Sequence, residues 1–376
     1  MSSALRLALR QFLAENLPPE WSDTRSVASD YDALALIRRE WGRRVHAGGW
    51  AAPVLSRVAG GLGLTGEDLV AYFEEMAASG APEVLNSNAI GILAPVLAAY
   101  GTADQRRRTI PAMLSHNVLW CQGFSEPDAG SDLADLRTRA VPAAGGWRVS
   151  GQKVWTSNAQ RADYCYLLAR TDPTPSPRAG LSLMMLDMRQ GGVEVRPLRN
   201  MAGTDEFCEV FLDDALVRSE DLIGQPGDGW RLASFALEHE RASMLGQRAL
   251  RMTRELADAY QILGADGAAR VERELGRVHA AVRASEAAAR RTLTLVASDR
   301  SPGVLAQVTK LQWSLTHQQL LDVIADGVGP GFYTDGSSRG WAHMMLFSRA
   351  ETIYGGTSEI QRNLIARSLG LPRSPR

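Results

Sequence analysis

The stretch Gly123-Phe124-Ser125-Glu126-Pro127-Asp128-Ala129-Gly130-Ser131-Asp132 decides how this chain is read. A loop of small and hydroxyl residues brings backbone N–H groups and side-chain oxygens up to a phosphate or carbonyl oxygen with no bulky side chain in the way. Upstream of it, to about Asn117, apolar residues recur at helical spacing through Ala33 to Trp41, Leu69 to Met76 and Ile90 to Tyr100. Thr102 and Asp104, after Gly101, mark a helix stop and a new N-cap. From about Leu119 to Gly227 the runs are short and β-like: Trp147 to Val149, Tyr164 to Leu168, Leu181 to Leu186, Val193 to Val195 and Glu209 to Leu212. Turn clusters such as Gly145-Gly146 and Pro173-Thr174-Pro175 separate them. Long helical periods then return over Trp230 to Leu263, Ala268 to Ala297, Val304 to Ile324, Trp341 to Ile353 and Ile360 to Leu369. Helices, then strands, then helices predict an α+β chain with segregated layers, not βαβ alternation.

Composition sets the outer bounds. The chain has 376 residues, enough for two or three domains, and 45% hydrophobic content, enough for a sizeable core. Lys+Arg of 41 against Asp+Glu of 42 argues against a nucleic-acid coat or a binder of anionic membranes. Lys153 and Lys310 are the only lysines, a bias read as genome composition. No apolar run reaches the length of a bilayer span, and the amphipathic Leu5 to Leu17 lacks the pattern of a signal peptide. Cys121, Cys165 and Cys208 form neither a disulfide framework nor a metal pattern, so a reducing cytoplasm and thiols used as small hydrophobes are expected.

Several chemistries drop out. There is no Gly-Lys dipeptide for a phosphate loop and no His-Glu-x-x-His pair, and the six histidines lack ligand spacing, so no metal site is expected. Gly336-Ser337-Ser338-Arg339-Gly340 has the letters of a nucleophile elbow but no strand leading in. Gly61 to Gly66 fits G-x-G-x-x-G, again without the preceding strand. Both read as glycine turns.

The quoted loop, followed by Thr138 and by Gly151-Gln152-Lys153-Val154-Trp155-Thr156-Ser157-Asn158, resembles the middle domain of the acyl-CoA dehydrogenase family. The run Ile353-Tyr354-Gly355-Gly356-Thr357-Ser358-Glu359-Ile360-Gln361-Arg362-Asn363 resembles that family's C-terminal signature, in a Tyr-Gly-Gly-Thr variant. Weaker similarity at Tyr100-Gly101-Thr102 and Val308 to Trp313 extends the resemblance over essentially the whole chain. It implies an N-terminal helical domain (1–118), a middle antiparallel β-barrel or sandwich (119–227) and a C-terminal four-helix bundle (228–376), with FAD as cofactor. By the same resemblance Phe124, Ser125, Gly130, Ser131, Trp155, Thr156 and Ser157 contact the flavin, and Thr357 and Glu359 its adenosine half. Ser131, Arg241 and Tyr354 then contact the acyl thioester. Taken singly, Trp155 reads as a core aromatic and Ser125 and Ser131 as cap residues.

The implied reaction removes a proton from C2 of an acyl-CoA thioester while a hydride leaves C3 for the flavin N5. It needs a carboxylate base and donors to the developing enolate oxygen. Many members place a Glu between the Tyr and Gly of the last motif; this chain has Gly355, which keeps the backbone N–H and loses the base. Glu240, in Leu237-Glu238-His239-Glu240-Arg241, resembles the helix site from which some members supply it. Glu238 is the other candidate, and the two lie on different helix faces. The missing side chain at 355 also frees volume, which points to a branched, cyclic or bulky acyl group.

Other departures bear on assembly. The family's Arg-x-x-Phe-Gly segment is not recognisable around Ala265 to Gly276, and the glycine loop Asp326 to Gly331 lacks its usual Gln. Cys208 and Arg218 stand where related chains often carry Asn and Pro. An incomplete phosphate site suits a heteromeric assembly. The resemblance implies a homo- or heterotetramer that passes electrons to an electron-transfer flavoprotein, with CoA or a carrier protein on the thioester. A flavin monooxygenase on the same fold, and a partner subunit of a heteromeric dehydrogenase, are the alternatives.

Overall fold

Local chemistry sets where two of the helices begin. Thr102 accepts from the Gln105 N–H at 3.1 Å while Gln105 Oε1 accepts from the Thr102 N–H at 2.9 Å, a reciprocal cap that opens α5 (Ala103–Leu114) where expected. Thr357 likewise caps α10 (Ser358–Ser368) through the Ile360 N–H. The computed structural model describes residues 2–172, 176–298 and 300–371, with the side chains of 238–245 outside that description. The remaining helices are α1 (Ser2–Asn16), α2 (Tyr31–Ala47), α3 (Gly66–Ser79), α4 (Ala94–Tyr100), α6 (Gly229–Arg270), α7 (Glu272–Ala297), α8 (Val304–Val328) and α9 (Arg339–Ser348). None of them, among the described residues, is long and apolar enough to cross a membrane.

Two expected helices end differently. Ile90 to Tyr100 opens with a wide π turn over Ala89–Leu93 before α4, where Pro95 has no N–H to continue an α ladder. The helix expected over Trp341 to Ile353 stops at Ser348. Beyond it, α8 side chains take the carbonyls that a further turn of helix would have used: Gln318 Nε2 donates to Ser348 O at 2.7 Å and Lys310 Nζ to Glu351 O at 2.9 Å. Within α6, Gly264 has φ 60 and ψ −172 and breaks the helix just after the Leu263 end predicted for it.

The chain forms two compact units, one of Met1–Ile37, Gly63–Glu83 and Glu240–Arg376, the other of Arg38–Leu62 and Val84–His239. The second holds the sheet. Its strands are β1 (Trp120–Gly123), β2 (Arg139–Ala143), β3 (Gly146–Ser157), β4 (Tyr164–Arg170), β5 (Leu181–Asp187), β6 (Val193–Leu198), β7 (Phe207–Arg218) and β8 (Leu222–Ile223). They run in the order β6-β7-β3-β2-β4-β5-β8, with β1 paired to β4. The ladders are antiparallel except where β1, and one residue pair of β2, join β4 in parallel. β1, β2 and β8 lack the apolar alternation that marked the other strands. β4 and β5 are buried on both faces, so they read as continuous apolar runs. Leu167 and Leu186 sit in this core, and truncating either to Ala costs about 2–5 kcal/mol. Cys121 and Cys165, far apart in sequence, lie opposite each other on β1 and β4. All three thiols are reduced and buried, and burial pushes that of Cys121 well up, so they pack as small hydrophobes.

The start of β1 is fixed by two buried polar side chains. Asn86 donates to Met113 O at 2.9 Å and Val118 O at 2.8 Å and accepts from the Trp120 N–H at 3.1 Å. His116 lies beneath Gly42, where a Cβ would fall 2.2 Å from its ring, and its Nε2 faces the Asn86 N–H at 3.4 Å. Nδ1 then donates to Leu114 O at 3.1 Å, which requires the neutral ring.

Burial pulls the His116 pKa from 6.5 down to about 4. The unfolded chain therefore takes up a proton that the folded chain refuses. The stabilisation is complete above about pH 6.5 and is lost as pH falls through about 4. Denaturant midpoints measured across that window should fall by an amount equivalent to about 3 kcal/mol from this group. His116→Leu should be less stable at pH 7 yet show a shallower acid limb; an unchanged limb would remove His116 as its cause.

Candidate functional site

The quoted loop leaves the end of β1 and docks on β3 where β3 is irregular. Lys153 pairs with Val210 of β7 and Thr156 with Cys208, so β3 carries an extra residue between them. At this bulge Trp155 adopts φ 59 and stands 63% exposed, its ring edge-on to Phe207 at 6.1 Å. A left-handed tryptophan costs roughly 1–3 kcal/mol, and bulges of this kind re-aim a side chain at functional sites. Expected as a core aromatic when taken singly, Trp155 is the opposite.

The loop is held to the bulge from both sides. The Val154 N–H donates to Ser125 O at 3.0 Å. Lys153 Nζ, fully buried, donates to Phe124 O at 3.2 Å and to Glu126 Oε1 at 2.8 Å. Glu126 in turn accepts from the Thr138 N–H at 2.9 Å and the Arg137 N–H at 2.6 Å, closing the loop on itself. Burial pushes the Glu126 carboxyl up, but the Lys153 ammonium and these N–H groups more than offset it and hold it below the usual carboxylate range. Burial lowers Lys153, and Glu126 opposes the shift.

The resulting surface suits a flat ring with polar edges. Phe124 is buried edge-on to Tyr166 at 5.8 Å. The half-exposed hydroxyls of Ser125 and Ser157 make no hydrogen bond among the described residues, and Thr156 Oγ1 is buried without one. Phe124, Ser125, Trp155, Thr156 and Ser157 thus gather at the bulge. Gly130 and Ser131 lie on the exposed turn beyond the Glu126–Ala129 bridge.

The other predicted residues belong to the helical unit. Tyr354, Gly355, Gly356 and Thr357 form the turn into α10, with Gly355 at φ 63 and Gly356 at φ 94. Tyr354 is held through its hydroxyl, which accepts from Arg248 Nη1 at 2.9 Å; the half-buried guanidinium also pairs with Glu83 at 3.1 Å and lies over the Trp313 ring at 5.8 Å. Glu359 is exposed, and its own backbone N–H and the Thr357 hydroxyl hold its carboxyl below the ordinary value. Nearby, His317 Nδ1 meets Glu351 at 2.8 Å and Nε2 faces Glu255 at 3.4 Å. Burial alone would lower His317; the two carboxylates lift it to about 9, so it is an imidazolium at neutral pH. Glu238, Glu240 and Arg241 lie in α6, and their side chains fall outside the described residues.

Lys153, Glu126, Lys310 and Arg248 carry these turns, and sequence reading assigned a role to none of them. A signal was available in the lysines. Both are essentially without solvent exposure, so in a chain that otherwise uses arginine, lysine survives where a compact buried ammonium is needed. Removing one partner of such a pair strands the other. Lys153→Met should therefore cost about 3–5 kcal/mol by chemical denaturation. Adding Glu126→Gln to Lys153→Met should recover part of that loss; a double variant no more stable than Lys153→Met would refute the pairing argument.

Comparison with known proteins agrees with this architecture. Models of the acyl-CoA dehydrogenase N-terminal, middle and C-terminal domains match residues 2–117, 121–215 and 227–370. Acyl-CoA dehydrogenase IpdE1 of Mycobacterium tuberculosis is 39% identical over 378 residues, 98% of this chain and 97% of that one. Among solved structures, the Tcur3481-Tcur3483 steroid ACAD is 26% identical with a TM-score of 0.88, covering 99% of this chain and 98% of that chain. The ChsE4-ChsE5 complex from Mycobacterium tuberculosis is 28% identical with a TM-score of 0.82 over 99% of this chain and 98% of that chain. The chain belongs to the acyl-CoA dehydrogenase family and is, with it, an FAD-dependent oxidoreductase.

Proposed function

We propose that this enzyme dehydrogenates the C2–C3 bond of a CoA thioester whose acyl group carries a fused-ring, steroid-like body, with Glu240 as the base. The observation that carries the reading is the register of α6. At about 100° per residue, position 240 falls on the stripe of Ala233 and Ala236, both buried, whereas position 238 falls with Arg231 and Ser234, both exposed. A carboxyl drawn from the buried stripe into apolar surroundings is a stronger base than a solvated one. When bound, FAD supplies the acceptor for the C3 hydride. Ser125, Thr156 and Ser157 hold its ring edge against the Trp155 bulge, and the turn at Gly355 offers N–H groups to the thioester oxygen, lowering the cost of losing the C2 proton.

The bulky acyl group rests on Gly355 and on the likeness to the steroid ACAD. The likeness to the ChsE4-ChsE5 complex supports assembly with a second, related chain; that this second chain completes the FAD phosphate site in a tetramer, with an electron-transfer flavoprotein as acceptor, is part of the same proposal. Under anaerobic conditions Glu240→Gln should keep its yellow colour and bleach about 10²–10⁴-fold more slowly on adding thioester, while Glu238→Gln stays near the parent. Bleaching of Glu240→Gln at the parental rate would reassign the base. Among thioesters, ring-bearing acyl groups should be turned over faster than straight chains, and the reverse preference would refute the steroid-like assignment.

A further inference from the structure

The turn at Gly355 is also held by a buried side chain of α10. Gln361, on the first turns of α10, has no solvent exposure, and its Nε2 donates to Gly355 O at 3.0 Å and Gly356 O at 3.3 Å. With two carbonyls facing it, only the amide nitrogen can take that position; Oε1 is buried and makes no hydrogen bond among the described residues. A Cβ at Gly356 would come within 2.5 Å of Nε2, so the approach is open only to glycine.

In a trans peptide the carbonyl and the following N–H point in opposite directions. Drawing both glycine carbonyls toward Gln361 therefore turns the N–H groups of Gly356 and Thr357 the other way. Neither these two nor the Gly355 N–H meets an acceptor among the described residues, although neighbouring Tyr354 and Ser358 bond to Ala350 O and Thr352 O at 2.9 and 3.0 Å. We infer that Gln361 is the positioning residue that aims the donors of the Gly355–Thr357 turn at the thioester oxygen, an inference that rests on the function proposed above. Two successive glycines have no preferred direction of their own, and one buried amide supplies it.

The test compares the FAD-loaded protein with Gln361→Met, which keeps the length of the side chain and removes the donor. The probe is benzoyl-CoA labelled with ¹³C at the thioester carbonyl, a thioester with no C2 proton to lose. Difference infrared spectra should show the carbonyl stretch moved to lower frequency on the parent and returned toward its solution value on Gln361→Met. FAD content should be unchanged. In turnover, kcat should fall by about 10- to 100-fold, less than the 10²–10³ of deleting a donor outright, with KM changed far less. An equal carbonyl shift on both proteins would overturn the role of Gln361. No shift with benzoyl-CoA, together with no bleaching of the parent by a ring-bearing acyl-CoA that has C2 and C3 hydrogens, would instead overturn the thioester reading beneath it. Should Gln361→Met fail to fold, amide exchange on the parent decides. The Gly356 and Thr357 N–H groups should exchange freely without ligand and become protected with benzoyl-CoA; protection in the free protein, or none with ligand, refutes the inference.

Discussion

The buried ion pair between Lys153 and Glu126 is the constraint from which the docking of the Gly123–Asp132 loop on the Trp155 bulge follows. An ammonium and a carboxylate taken out of water are tolerated only when their remaining bonding capacity is filled. Lys153 adds a bond to the Phe124 carbonyl, and Glu126 accepts from the N–H groups of Arg137 and Thr138. Satisfying both charges thus requires the loop to close and to lie against β3 at one position. The Val154 N–H completes that docking through Ser125 O. The pair contributes position more than net stability.

The helical unit solves a similar problem with the second lysine. Lys310 ends the helical path after Ser348 by taking the Glu351 carbonyl, while the Glu351 carboxylate holds the His317 imidazolium. Arg248 fixes Tyr354 from another side, and Gln361 takes the two glycine carbonyls. A turn containing Gly355 and Gly356 has little intrinsic preference for one shape. Its shape comes from polar side chains on α6, α8 and α10, those of Lys310 and Gln361 without solvent exposure.

Periodicity and capping made most of the helices legible, and the apolar runs of β3 to β7 revealed the sheet. The missed strands are the short ones: β1 (Trp120–Gly123) is held by Asn86, β2 (Arg139–Ala143) pairs chiefly with β3, and β8 is Leu222–Ile223 alone. The end of α9 was unreadable because it depends on Gln318 and Lys310, 30 and 41 residues away in sequence from the carbonyls they take. At the site, resemblance picked out Phe124, Ser125, Trp155 and Ser157, which the fold gathers at one bulge. It gave no sign that Trp155 would be left-handed, since a bulge depends on the register of β7 against β3. Nor did it reveal Lys153, Glu126 and Gln361, because their roles are defined by backbone groups, which carry no residue-type signature.

The exposed indole of Trp155 also shapes the protein's life before it is loaded. The free chain keeps a large apolar plane in water and a backbone conformation that other structure must enforce. The flavin ring proposed to cover that plane would bind the folded chain and not the unfolded one, so free cofactor would draw the folding equilibrium forward by mass action. Newly made chains should persist in proportion to the supply of that ring, and scarcity would thin the enzyme's abundance before it slowed any single molecule.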